Sequence, residues 1–576
     1  MHMRDIPGIR KLESLSRQMS SFERLLMYLL GIILIISSLA IVHALSLMLM
    51  VDEPAPGGSL VEGEVGIPRF INPLLANSDA DRDLASLVYS GLMRAMPDGT
   101  LIPDLAESYQ ISADGTQYTF LLRSDAVFQD GKPVTAEDVL YTIGIAENPD
   151  FKSTKRANWD GVKVEKIDER TVRFTIAKPY APFLENATLG ILPQHLWSTI
   201  TADAFPFNQL NTHPIGSGPY EISSVKTDTT GTPSEYLMKP FTHFTLGEAH
   251  ISLIDMKLYA TEDAEIAAYQ AGKINAMAGV TASRVSALAI PKDQVLTTAL
   301  PRVFAIFLNQ SQATVFLDTA VRKALDAVLD KSAIISSALA GFGMPLDGPI
   351  PPGVMENGIS SSVPPLSAAS STGLIANGQK ILAADGWTLS STTGFFVKKG
   401  QTLAFSISTA DTPELVASAN AVADQWKALG ANVTVKVFSS GTINTSVIRP
   451  RNYDSLLFGE VVGRTLDLFA FWHSTQRNDP GLNLALYTNA KADTLLSEAR
   501  AEVDRKAREA TYVSFAKIVQ DDHPAVFLYA PDFIYIIPAK LKGVALGALT
   551  TPSDRFLNVY QWHIETKNVW YIFSGH

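Results

Sequence analysis

The residues of this chain that could do covalent chemistry are few and poorly placed for it. Its 576 residues include no cysteine, which excludes disulfides, thiolate-bound zinc and thiol catalysis in one step. The ten histidines are scattered, with no pair at i,i+4, so no protein-only metal cage is expected and no cofactor is assigned. The sequence contains no G-x-S-x-G, H-E-x-x-H or P-loop pattern, so no catalytic residues are assigned and a hydrolase is only a remote alternative. The stretch His213 to Tyr220, HPIGSGPY, lacks the P-loop lysine and opens no clear helix. It reads as a tight turn in which glycine lets backbones approach and proline fixes the exit. A net charge of −11 leaves no electrostatic footprint for nucleic acid. What remains is recognition. Trp472 and Tyr487 could pack on ligand side chains, although core packing is the expected role of Tyr487.

The elements that must position such residues begin with an apolar stretch, Leu25 to Val51, long enough to cross a hydrocarbon core of roughly 30 Å. Arg4, Arg10, Lys11, Arg17 and Arg24 precede it, Asp52 and Glu53 follow, and no Lys or Arg recurs before Arg69. That asymmetry places the N-terminus in the cytoplasm and the body outside, in the periplasm or at the cell surface. Val42-His43-Ala44 would serve as a signal-peptide cleavage site, but mostly apolar residues continue past Ala44, which favours an uncleaved anchor. The PAPGG of residues 54–58 reads as a linker. At 18% charged and 46% hydrophobic residues, the remainder has the composition of a folded body longer than one ordinary domain.

The most informative stretch runs from Pro97 to Ile143 as turn, strand, turn, strand, turn, helix. Asp98-Gly99, Asp114-Gly115 and Asp130-Gly131 supply the turns, and Tyr118 to Leu122 is β-rich. Thr135 is placed as a helix N-cap, with Asp138 returning the capping bond. Further on, Leu84 to Leu92, Asp318 to Asp330 and Pro413 to Leu429 read as helices, the last stopped by Gly430. Thr171 to Ile176, Val433 to Val437 and Pro524 to Tyr529 read as strands, and Ser360 to Thr372 as a mobile Ser/Pro/Ala-rich loop.

Read letter by letter, Leu105-Ala106-Glu107-Ser108, Tyr118-Thr119-Phe120, Leu122-Arg123 and Thr135-Ala136-Glu137-Asp138-Val139 resemble the bacterial extracellular solute-binding proteins of family 5, the oligopeptide-, dipeptide- and nickel-binding receptors of ABC importers. The resemblance continues through Ile215-Gly216-Ser217-Gly218-Pro219-Tyr220, Val321-Arg322, Ala324-Leu325 and Trp472-His473-Ser474, covering about Phe70 to Val544. It implies an α/β, two-lobed periplasmic-binding-protein fold of type II, with the extra domain of the peptide-binding class, preceded here by one transmembrane helix. On that pattern 1–24 is a cytoplasmic segment, 25–51 the anchor and 52–58 the linker. Lobe I comprises 59–92, 191–298 and 526–576, the extra domain 93–190 and lobe II 299–525.

The implied function is capture of oligopeptides by a membrane-anchored, monomeric receptor that serves an ABC permease and its ATPase. A non-peptide solute such as a metal chelate, or a sensing or chaperone role, is the alternative. Peptide-binding relatives carry G-W-x-x-D at the cleft strand, the aspartate pairing with the ligand ammonium. This chain reads Gly459-Glu460-Val461-Val462-Gly463, with Glu460 at the tryptophan position and Gly463 at the aspartate position. A buried ammonium without counter-charge is penalised by several kcal/mol. Glu460 or Asp467 is therefore expected to supply the carboxylate, unless the ligand has no free N-terminus. Gly459, Asn309 and Trp472 complete the set of expected ligand contacts.

Overall fold

The computed structural model describes residues 19–48, 50–355 and 371–570. The chain divides into two units, Met1–Pro56 with His563–His576, and Gly57–Trp562. In the first, a helix spans Ser21–Met48. Its Ser21–Val42 portion is long and apolar enough to cross a membrane, with mean hydropathy 2.8. The strand Met50–Ala55 follows and pairs antiparallel with Glu565–Trp570, Met50 opposite Trp570. Two boundaries thus differ from those read in the sequence. Residues 50–55 are strand rather than the end of an anchor and the start of a linker, and His563 onward joins this unit instead of lobe I. The cause is long-range pairing: the partner of 50–55 lies at the other end of the chain, where no local pattern announces it. Arg4, Arg10, Lys11 and Arg17 lie outside the described residues, as does the expected loop up to residue 370; Thr372 already belongs to the helix Ser371–Ala384.

The second unit is α/β and two-lobed, and one sheet runs through both lobes. Its strands lie in the order Asn432–Phe438, Ala404–Ala410, Ser455–Val461, Arg302–Leu308, Ala525–Ile536, Ala276–Ala278, Ser59–Val65, Leu253–Tyr259, Pro233–Pro240 and Tyr220–Thr227. The strand Ala525–Ile536 carries the connection. Its first half pairs with Arg302–Leu308 (Phe307 opposite Ala525) and its second half with Val295–Ala299 (Ala299 opposite Asp532). Leu300-Pro301 and Pro531 are therefore the two crossing points, held together by the Leu300 N–H donating to the Pro531 carbonyl at 2.9 Å. Proline suits both positions because it fixes φ and needs no donor partner.

Local chemistry explains the elements that flank this spine. The Asp138 carboxylate accepts from the Thr135 N–H at 2.8 Å and from its hydroxyl at 2.7 Å, closing the expected cap of helix Ala136–Glu147. Helix Pro413–Leu429 ends at Gly430, whose φ of 110° is open to glycine at little cost. Trp426 on that helix is fully buried, and its indole N–H donates to the Leu325 carbonyl at 2.8 Å. Burying such a side chain stabilises the fold by roughly 2–3 kcal/mol. The glycine-rich turn packs against the end of helix Asp79–Val88: a Cβ on Gly216 would lie 2.1 Å from the Val88 carbonyl oxygen, and the Gly218 N–H donates to that oxygen at 2.7 Å. A separate four-stranded antiparallel sheet (Ala106–Ile111, Gln117–Leu122, Thr171–Thr175, Lys163–Lys166) closes over Phe120, Trp159, Phe174 and Phe183.

Candidate functional site

The strand Ser455–Val461 delivers the chain to the face where the lobes meet, and Gly463 turns it there with φ of 74°. The next residue, Arg464, reaches across. Its Nη2 lies 2.5 Å from Glu185 Oε1, which belongs to the segment after the small sheet, and its Nη1 lies 2.8 Å from Asp554, near the end of the body. Its backbone N–H donates to the Thr550 hydroxyl at 3.1 Å. Burial disfavours the guanidinium charge, but Asp554 and Glu185 outweigh it and hold the pKa above its ordinary value. One lobe II side chain thus binds two separate parts of the opposite wall.

Two cavities meet at this bridge, of about 390 and 470 Å³, and both are lined by Glu185, Arg464 and Thr465. Each falls within the roughly 300–1,000 Å³ common for ligand sites. The first is walled by Tyr109, Tyr118 and Tyr512 and edged by Arg505 and Arg508. The second runs from Tyr89 and Trp159 to Val461 and Asp554, with Arg82 and Lys155 on its wall. Arg82 ion-pairs Asp79 through Nη2 at 3.1 Å, while its buried Nε has no hydrogen-bond partner. Among the described residues no carboxylate lies within ion-pair distance of Lys155. Burial, and then the nearby Arg82 charge, push its pKa down, with the Asp554 charge opposing them in part. The second cavity therefore carries one cation, Lys155, without an ion-pair partner among the described residues, on a wall that also holds Arg82, Glu185 and Asp554.

The residues expected from the sequence fall into four groups. Gly459 and Glu460 share a third cavity, described below, and Gly459 is also fixed by packing, since a Cβ there would lie 2.7 Å from the Phe304 ring. Asp467 sits at the lobe junction, but its Oδ2 accepts from Arg500 Nη2 at 2.7 Å and from the Tyr180 hydroxyl at 3.3 Å, and its Oδ1 accepts from the Phe469 N–H. Its oxygens brace the lobes. Asn309 is buried and locally spent: Nδ2 donates to the Arg451 carbonyl at 3.0 Å, and Oδ1 accepts from the N–H groups of Ser311 and Gln312. Trp472 lies in the lobe II core, 5.8 Å from the Phe527 ring and 6.3 Å from Tyr487 between centroids. Tyr487 belongs to the same core, as expected.

Arg464, Glu185, Asp554, Lys155 and Arg82 were not singled out from the sequence. Arg464 meets Glu185 and Asp554 only across long stretches of chain, and the one available signal was that Arg464 adjoins the departure at Gly463.

Comparison with known proteins identifies the family and the fold. A model described as "Bacterial extracellular solute-binding proteins, family 5 Middle" matches residues 100–494. The oligopeptide-binding protein AppA of Bacillus subtilis (strain 168) is 27% identical over 522 residues, covering 88% of this chain and 92% of AppA. The solved structure of AppA in complex with a nonapeptide is similar with a TM-score of 0.64 at 26% identity, covering 89% of this chain and 100% of that one. NikZ from Campylobacter jejuni, solved in complex with Ni(L-His), is similar with a TM-score of 0.65 at 26% identity, covering 88% and 99%.

Proposed function

The chain belongs to the bacterial extracellular solute-binding proteins of family 5, and on that premise we propose that it is the membrane-anchored receptor of an ABC importer, capturing oligopeptides between its lobes for delivery to the permease. The observation that carries the proposal is the pair of cavities joined at Arg464, because their walls come from both lobes and from the small sheet's segment. Binding there couples ligand capture to the relation between lobes, which is what a permease must sense. No covalent step is required. The end of the cleft strand, Val461 to Gly463, lines the second cavity, so an extended peptide bound there runs alongside main chain, a mode that gives affinity with little sequence demand. Lys155 and Arg82 offer charge to a ligand carboxylate. AppA of B. subtilis, a relative at comparable coverage, is named for oligopeptide binding.

The N-terminal helix supports anchoring without cleavage, with the N-terminus cytoplasmic and the body, taken as a monomer, outside. Its apolar stretch Ser21–Val42 suits a span, and the excess of Arg and Lys before it suits that orientation.

Two experiments test the proposal. Native mass spectrometry of the full chain, gently extracted in detergent, should display co-purified peptides; a metal chelate or another intact non-peptide solute as the sole ligand would contradict it. Peptides with a free C-terminus should bind about tenfold more tightly than their amides, the worth of one charge-assisted hydrogen bond, and Lys155→Met should erase that difference. Equal affinity of acid and amide in the unaltered chain would remove Lys155 from this role.

A further inference from the structure

Glu460 is an expected site residue whose carboxylate has one polar neighbour, the Trp472 indole N–H, which is itself without a hydrogen-bond partner among the described residues. It lies on Ser455–Val461 opposite Val303, 2% exposed, and neither carboxylate oxygen has a hydrogen-bond partner among the described residues. Phe458 and Leu456, two and four residues before it, belong to the same face and to the same lobe II core. On this face opens a cavity of about 660 Å³ walled by Leu415, Ile443, Ile448, Phe458, Phe471 and Leu484, with Glu460 on its lining. Among the described residues no Lys, Arg, His or second acid lines it, and Thr412, Ser440 and Asn444 are its few polar side chains. Val461 borders both this cavity and the larger of the two at the lobe junction.

We propose that this cavity is a side pocket of the cleft that selects an alkylammonium group, the side chain of a lysine-type residue in the bound peptide, with Glu460 as its counter-charge. The proposal rests on the peptide assignment and adds a preference to it. The apolar walls suit the methylene stem, at roughly 25 cal/mol per Å² of apolar surface removed from water. A cationic head group is what lets the acid ionise on binding, since the carboxylate left behind would otherwise be penalised by several kcal/mol. An ammonium fits better than a guanidinium: it has three donors to satisfy rather than five, and the wall offers few acceptors besides the two Glu460 oxygens.

Burial pushes the Glu460 pKa well above the carboxylate range, the Trp472 indole N–H opposing this only in part. Burial therefore favours the protonated acid while the pocket holds no cation. Binding then follows a balanced exchange, in which the carboxylic acid gives its proton to solvent and the resulting carboxylate pairs with the incoming ammonium.

The test uses the full chain in detergent and two sets of pentapeptides, identical except for lysine or norleucine at each position in turn. At one position lysine should bind at least tenfold more tightly than norleucine, and Glu460→Gln should abolish that preference. Calorimetry of the unaltered chain in buffers of different ionisation enthalpy should detect release of about one proton with the lysine peptide and none with norleucine. Binding of both sets with no preference at any position, or lysine binding without proton release, overturns the side pocket and leaves the peptide assignment standing. Failure of both sets to bind overturns the peptide assignment and the pocket with it.

Discussion

Glu265 offers a sharp test of the electrostatics behind the cleft. It lies in helix Glu262–Gln270, is 1% exposed, and its Oε1 has no hydrogen-bond partner among the described residues. Burial raises its pKa to about 8 from 4.5, with the Glu62 and Glu262 charges adding to the rise and Arg555 opposing it. In the unfolded chain the same carboxyl ionises near 4.5. Between those values the folded chain holds a proton that the unfolded chain releases, so stability falls as pH rises through the window and levels off above about 8. The displacement corresponds to about 5 kcal/mol between its ends. Glu265→Gln keeps the shape and removes the titration. Urea denaturation midpoints of the two proteins should therefore agree near pH 4.5 and diverge in favour of the variant as pH rises, by several kcal/mol at pH 8.5. Other buried acids titrate in this window, so the difference between the two proteins is the quantity to follow. Equal midpoints across the range would refute the assignment, as would a variant less stable at pH 8.5.

Further expectations follow from the same charge arrangement. Arg464→Met removes the cation that joins lobe II to Glu185 and Asp554; about 2 kcal/mol of closure energy should be lost, roughly a thirtyfold shift toward open lobes, visible in small-angle scattering as an increased radius of gyration. An unchanged scattering profile would contradict the bridging role. Arg555→Leu leaves Glu62 and Asp83 buried without their shared cation and should cost about 3–5 kcal/mol, read as a lower denaturation midpoint. Replacing all three by leucine should recover most of that loss, and no recovery would argue against the charge explanation.

What the sequence discloses follows the range of the interaction. The Thr135–Asp138 cap, the Gly430 stop and the turns at Gly99, Gly115 and Gly131 depend on residues within a few positions of each other, and each is found where local chemistry puts it. The pairing of Met50–Ala55 with Glu565–Trp570 depends on distant chain and was invisible. The site divides the same way. Asp467, Asn309 and Trp472 have the residue types of ligand contacts, but Arg500, Arg451 and the aromatic core, all remote or out of pattern, already occupy them. Arg464 and Lys155 look unremarkable in one dimension, and become a bridge and a cavity-wall cation without an ion-pair partner among the described residues only once the lobes are assembled. Glu460 was legible for another reason: a charged residue in a position where peptide-binding relatives carry tryptophan is a local anomaly, and the structure leaves that charge unanswered.

The central claim is that the ligand sits between the lobes and contacts both. Hydrogen exchange on the full chain, with and without a saturating peptide, measures this directly. Slowed exchange is predicted on both walls, at Val462 to Thr465 of lobe II and at Lys155 to Trp159 and Asn186 to Gly190 opposite. Peptide binding with protection confined to one wall, or with none in these segments, would contradict it.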